Sequence, residues 1–122
     1  FGKLPKKGGG FYKTEKGAFR NHPCTIWAQT YYSWLITHGL ALCSEYTYRY
    51  EKIHTCEYTI QYADDLFPES PPPTEFVRAM FDEFKYDESI DTITAYKRYI
   101  NAKPWVKDNY LRKPERKPDW IT

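Results

Sequence analysis

The stretch from Asn21 to His54, NHPCTIWAQTYYSWLITHGLALCSEYTYRYEKIH, constrains this chain more than any other. It holds the longest run of apolar residues at helical spacing, all three His and two of the three Cys. Asn21 is placed to cap a short helix, with Pro23 near the first turn, where a missing N–H costs nothing. That helix reads to about Gln29. Thr30 can cap a second, longer helix from Tyr31 to about Glu51. On it Tyr31, Leu35, Leu42, Tyr46 and Ile53 repeat at helical spacing and are expected to face the core. Gly39 either weakens this helix or lets a neighbour approach closely.

The other side of the long helix carries Trp34, His38, Glu45, Arg49 and Lys52. Glu45 and Arg49 are four apart and can pair. His38 and Glu45 are seven apart and share a face, two turns from each other. A partly buried carboxylate beside a guanidinium and an imidazole can do general acid–base chemistry. Fully exposed, the same pair is a surface ion pair worth a fraction of a kcal/mol.

After this stretch a third helix is expected from Thr55 to about Ala63. Pro68, Pro71, Pro72 and Pro73 then impose extended chain, read as a stiff connector or a ligand for another domain. Met80–Lys85 reads as a turn or short helical piece. Ser89 or Asp91 can cap a fourth helix running to about Ala102, with Ile90, Ile93 and Ile100 near one face and Lys97 and Arg98 beside it. Pro104 breaks or kinks it. The tail alternates Trp105, Tyr110 and Trp120 with Lys107, Arg112, Lys113, Arg116 and Lys117. Such a mixture suits phosphate contacts combined with base stacking. Equally, the aromatics can pin the tail while its charges face water.

Charge is distributed unevenly. Residues 1–20 carry six basic residues against Glu15, and residues 97–122 carry eight against three acids. The middle, 21–96, holds twelve acids and four bases, which brings the net charge to only +2. Basic ends around an acidic body fit a polyanion reached by the termini, or ordinary solvated tails. Residues 1–20, with Gly8-Gly9-Gly10, read as a flexible basic arm, and residues 21–122 as a single helical domain. Aromatic residues make up 19% of the chain, so a core or a surface must absorb many large rings. The expected fold is therefore all-α: a small helical bundle with a Pro-rich connector and flexible basic termini.

Three cysteines without a signal peptide fit a reducing compartment. No apolar run reaches the roughly 18–20 residues of a membrane helix, so no membrane partner is expected. The chain opens on Phe1 and its one Met is Met80, so a native start upstream is expected. His22-x-Cys24 and His54-x-Cys56 repeat a His-x-Cys pair that, with Cys43 and His38, supplies donors suited to zinc. The spacing matches no usual zinc module, and buried Cys acting as small hydrophobes is the better reading, so no metal is expected. No nucleotide loop, dinucleotide fingerprint, hydrolase elbow or zinc-protease motif occurs, and no cofactor is expected. His22, beside Pro23, is either a cap-region residue or one aimed at an anion by the helix N-terminus.

Asn21-His22-Pro23-Cys24 with Ile26-Trp27, then Tyr32-x-Trp34-Leu35, Glu45-Tyr46-Thr47-Tyr48-Arg49-Tyr50 and Lys52-x-His54, resembles a family of small uncharacterised phage proteins. Met80-x-Asp82-Glu83-Phe84-Lys85, Ala95-Tyr96-x-x-Tyr99 and Pro118-Asp119-Trp120 extend the resemblance over most of residues 20–120. That family is distantly similar to the pyrimidine-dimer DNA glycosylases of the endonuclease V type. The similarity implies a compact all-helical fold, binding to damaged duplex DNA and removal of a base. It also implies an N-terminal amine as nucleophile and a supporting Glu. Neither group carries over by alignment, and Glu45 is the local candidate for the carboxylate. Members of the phage family also begin with a helix containing Asp-Lys-His, which this chain lacks.

The leading expectation is a viral, DNA-binding protein of the repair-glycosylase type. Glu45, His22, His38 and Arg49 would line its pocket. Lys97, Arg98, Lys107, Arg112 and Lys113 would contact phosphates. Host cytoplasm or the virion would be its location. The second expectation is a non-enzymatic viral structural or interaction protein, with a protein partner or a homo-oligomer. The third is a nucleotide binder in which His22 and Arg49 hold a phosphate.

Overall fold

The computed structural model describes residues 4–12 and 19–122. The described residues form five α-helices: α1 (Pro23–Thr30), α2 (Tyr32–Tyr50), α3 (Cys56–Leu66), α4 (Asp82–Lys85) and α5 (Thr92–Asn101). Two 3-10 turns follow, at Val106–Tyr110 and Pro114–Arg116. No strand forms among the described residues; an isolated antiparallel bridge joins Pro5 and Phe11. The all-α expectation holds. The chain gathers into two compact units, Phe1–Glu75 and Phe76–Thr122.

In the first unit α2 packs along α3. The buried side chains of α2 are Ile36 and Cys43, and those of α3 are Thr59 and Ala63. Gly39 sits in this seam: a Cβ there would lie 3.2 Å from Ile60 Cδ1, tighter than ordinary contact. The missing side chain therefore lets the two helices close. Here the expected core face is corrected. Leu35, Leu42 and Ile53 are exposed, Leu42 to 70%. The face turned to α3 carries buried Ile36 and Cys43 and half-buried Gly39, about 100° round the helix from 35 and 42. Close approach at a glycine set the register, and leucine hydrophobicity did not.

Helix α1 starts as its residue types require, with Pro23 at the first helical position, but its cap is His22 instead of Asn21. Helix α2 has no side-chain cap from Tyr31, the residue that precedes it. Its orphan donor at Ser33 is met from 37 residues away: Ser33 N–H donates to Ser70 Oγ at 2.9 Å. Ser70 N–H returns the bond to Ser33 Oγ at 2.7 Å. Two further bonds lay the Pro-rich segment against these helices. Trp27 Nε1–H donates to the Glu75 carbonyl at 2.7 Å, and the Tyr31 and Thr74 hydroxyls lie 3.2 Å apart. The prolines are thus part of a stiff intradomain connector, its free donors few and its path held by side chains of α1 and α2.

Helix α2 stops where Glu51 turns left-handed at φ 56, its N–H returning to the Thr47 carbonyl at 2.8 Å. A residue with a Cβ pays roughly 1 kcal/mol there relative to glycine. Helix α3 runs three residues beyond the expected Ala63 and ends at Leu66; Phe67 is extended because Pro68 follows it. Of the basic arm, residues 1–3 and 13–18 lie outside the described residues. Residues 4–12 turn back on themselves, Tyr12 N–H donating to the Leu4 carbonyl at 2.9 Å. Gly9 and Gly10 make the turn at φ +100 and +74, which favour glycine. The Thr59 hydroxyl on α3 donates to the Pro5 carbonyl at 2.8 Å, tying this hairpin down.

In the second unit Arg78 is the organising side chain. Its guanidinium donates to the carbonyls of Phe84 at 3.0 Å, Asp87 at 2.6 Å and Ile90 at 2.5 Å, and to Thr92 Oγ1 at 3.2 Å. The fork of donors satisfies a loop that has no regular backbone pairing. Tyr96 Oη donates to the Val77 carbonyl and accepts from Ala79 N–H, fixing the incoming chain on α5. Asp91 caps α5, accepting from Thr94 N–H at 2.6 Å. Ala95 is fully buried, and Val106 and Ile121 are buried too. The tail returns to α5, where Thr122 N–H donates to Asn101 Oδ1 at 3.0 Å. Aliphatic Val106 and Ile121 are the buried residues of the tail, while Trp105 stays exposed.

Candidate functional site

The last two turns of α2 gather the densest chemistry in the first unit. Arg49 Nε–H donates to Glu45 Oε1 at 2.8 Å. Both side chains are largely covered, Arg49 to 17% exposure and Glu45 to 27%. The pair follows from i,i+4 spacing on an unbroken helix, with the acid N-terminal to the base, the better order. Arg49 also lies in the last turn, where a cation meets the negative helix end. Beside the pair, the Tyr46 and Tyr50 ring centroids are 4.9 Å apart. His54 stands edge-on to Tyr46, also at 4.9 Å with an interplanar angle of 89°.

The other two candidates are engaged elsewhere. His38 stacks on Trp34, centroids 3.8 Å apart and planes 17° from parallel. Its Nδ1–H donates to the Trp34 carbonyl at 2.8 Å. His38 and Glu45 are two turns apart, roughly 10 Å along the axis. His22 lies at the start of α1, where its Nδ1 accepts from Cys24 N–H at 3.1 Å. The structure thus brings Glu45 and Arg49 together and leaves His38 and His22 in local contacts of their own.

The repeated His-x-Cys pair has one structural meaning. His54 Nδ1 accepts from Cys56 N–H at 3.1 Å, the same bond that His22 makes to Cys24. In both pairs an imidazole nitrogen fills a helix-start donor, so the ring proton sits on Nε2. None of the three cysteines forms a disulfide; Cys43 is buried, and burial first, then Glu57 and Cys56, push its thiol up. Among the described residues no group of three or more His, Cys, Asp or Glu is arranged to hold a metal ion. Among them, too, no helix is long and apolar enough to cross a membrane.

A cavity of about 300 Å3 opens between α2 and the end of α3, lined by Ser33, Ile36, Thr37, Asp64, Phe67, Pro68 and Glu69. None of the expected pocket residues lines it. Its two carboxylates and lack of any basic side chain make it a poor host for phosphate. In the second unit Lys97 and Arg98 are exposed on α5, Lys107 and Arg112 are exposed at the first 3-10 turn and just past it, and Lys113 is half-buried. Lys103, next to these, holds its ammonium over two rings instead, 4.2 Å from the Tyr99 centroid and 4.6 Å from that of Phe81.

Residues 4–58 match the family model for pyrimidine dimer DNA glycosylase. The match covers a little under half of the chain. It takes in the hairpin, α1, all of α2 and the start of α3, and so every group gathered around Glu45. No curated protein and no solved structure matches the chain. The similarity to pyrimidine-dimer glycosylases expected from Asn21–His54 is therefore found, and it falls on the same stretch.

Tyr46, Tyr50 and His54 stand beside the Glu45–Arg49 pair, and spacing alone does not single them out. Tyr46 was read as a core residue, and His54 lies beyond the helix. Two signals mark His54 in the sequence, the Lys52-x-His54 segment and the His-x-Cys repeat, and neither indicates a cap.

Proposed function

We propose that this protein binds duplex DNA and acts on it as a repair glycosylase. The observation that carries the reading is the family match over residues 4–58, which encloses the covered Glu45–Arg49 pair. Glu45 would supply the carboxylate that supports cleavage of a glycosyl bond, stabilising positive charge at the sugar carbon as an amine or water bonds to it and the base nitrogen leaves it. Arg49 holds that carboxylate in one orientation through its 2.8 Å bond. Tyr46, Tyr50 and His54 would shape the surroundings, and His54 Nε2–H is available as a donor. Lys97, Arg98, Lys107, Arg112 and Lys113 would contact phosphates without reading sequence.

The experiment compares the wild-type chain with Glu45→Gln on a duplex carrying one pyrimidine dimer and on the undamaged duplex. Preferential binding of the damaged duplex by both proteins, with glycosyl-bond cleavage at the dimer, read as an abasic site, lost in Glu45→Gln, supports the reading. Equal, weak binding to both duplexes removes it.

A further inference from the structure

Two helices of this chain leave an apolar stripe uncovered, and their charges are opposite. On α3, Tyr58, Tyr62 and Leu66 fall at i, i+4 and i+8, one line along the helix. On α5, Ile93 and Ile100 are seven apart, with exposed Lys97 between them. These five apolar side chains are each between 38% and 50% exposed, although their neighbours Thr59, Ala63 and Ala95 are buried. Each helix thus buries one face and presents a second apolar line to solvent, more than a surface helix needs.

The charge along each helix is of one sign. From residue 53 to residue 77 the chain has Glu57, Asp64, Asp65, Glu69 and Glu75 and no Lys or Arg. From residue 92 to residue 107 it has Lys97, Arg98, Lys103 and Lys107 and no Asp or Glu. Apolar stripes of this kind pack ridge into groove, and opposite charge at the rim selects the partner and the register.

We propose that α3 of one copy docks on α5 of a second copy, Tyr58, Tyr62 and Leu66 against Ile93 and Ile100, with Asp64 and Asp65 facing Lys97 and Arg98. A second copy carries the complementary stripe and the complementary charge together. Every copy offers both faces, one on each helix. Lys97 and Arg98 are also proposed for phosphate, so DNA and self-association compete for α5.

Sedimentation of the full chain over a range of concentrations tests this without DNA, so its failure leaves the DNA reading standing. At ~0.1 M salt charges act over about 10 Å, and at ~1 M over about 3 Å. Mass above the monomer is expected at the lower salt, weakening about tenfold or more at the higher. Asp64→Lys with Asp65→Lys is expected to sediment as a monomer, and so is Lys97→Glu with Arg98→Glu. These positions are exposed, and unchanged helical circular dichroism certifies the fold. Mixing the two charge-reversed proteins is expected to restore association, since an α3 now basic meets an α5 now acidic. A wild-type monomer at every concentration overturns the proposal. So does association that survives either reversal, or a mixture that stays monomeric.

Discussion

Ser33 and Ser70 cap each other: each backbone N–H donates to the other's hydroxyl, at 2.9 Å and 2.7 Å. The exchange closes the N-terminus of α2 with a residue from the Pro-rich segment, and Ser70 is buried in doing so. Ser70→Ala removes an acceptor from a helix-start donor and is expected to cost about 1–2 kcal/mol. Thr30→Ala, at the position local rules favour as the cap, is expected to change stability by less than about 0.5 kcal/mol. Urea unfolding of the two variants measures both.

Arg78 serves three carbonyls and one hydroxyl with a single planar group. Arg78→Ala is expected to destabilise the second unit by roughly 2–4 kcal/mol, since part-buried acceptors lose a charged donor. Arg78→Lys recovers only part of this, because an ammonium lacks the fixed fork. Hydrogen exchange of the amides from 84 to 92 is expected to quicken in both variants and most in Arg78→Ala.

Gly39 closes the α2–α3 seam over Ile60. Gly39→Leu forces a large side chain into contact already tight at Cβ and is expected to cost about 1–3 kcal/mol. Ile60→Ala added to it is expected to restore part of the loss, which a double-mutant cycle reads directly.

The carboxyls of Asp87 and Asp91 are both held below the usual carboxylate range. The bond from the Ser89 side chain is the main cause for Asp87, and the bond from Thr94 N–H for Asp91. A depressed folded pKa means that the folded state binds the proton less readily than the unfolded chain. Their contribution is therefore present above the unfolded value, about 4 for an Asp. It fades as pH falls through the lower folded value. Thermal melts between neutral pH and pH about 2 are expected to show this fall, and Asp91→Asn is expected to shallow it.

Much of the helix plan was legible in sequence, and the reasons are local. Pro23, Asp91 and Pro104 act on their own neighbours, so α1 and α5 begin and end within a few residues of expectation. The Glu45–Arg49 pair was equally readable, because both partners sit on one helix. What was not legible depends on residues far apart in the chain. Nothing near α2 says that Ser70 caps it, and close approach at Gly39 was one of two readings, with Leu42 still expected to face the core. The guanidinium of Arg78 likewise takes its partners from a loop whose shape it creates. His22 and His38 were grouped with Glu45 by residue type, yet each found a closer partner, the Cys24 amide for one and the Trp34 ring and carbonyl for the other.

Duplex binding as a function of salt tests the central claim most directly. If Lys97, Arg98, Lys107, Arg112 and Lys113 meet phosphates, log K against log salt falls with a slope of about −4 to −5, near −0.9 for each phosphate. Lys107→Ala is expected to make that slope shallower by about one and to weaken binding to every duplex alike. A flat salt dependence, or no binding to duplex DNA at low salt, contradicts it.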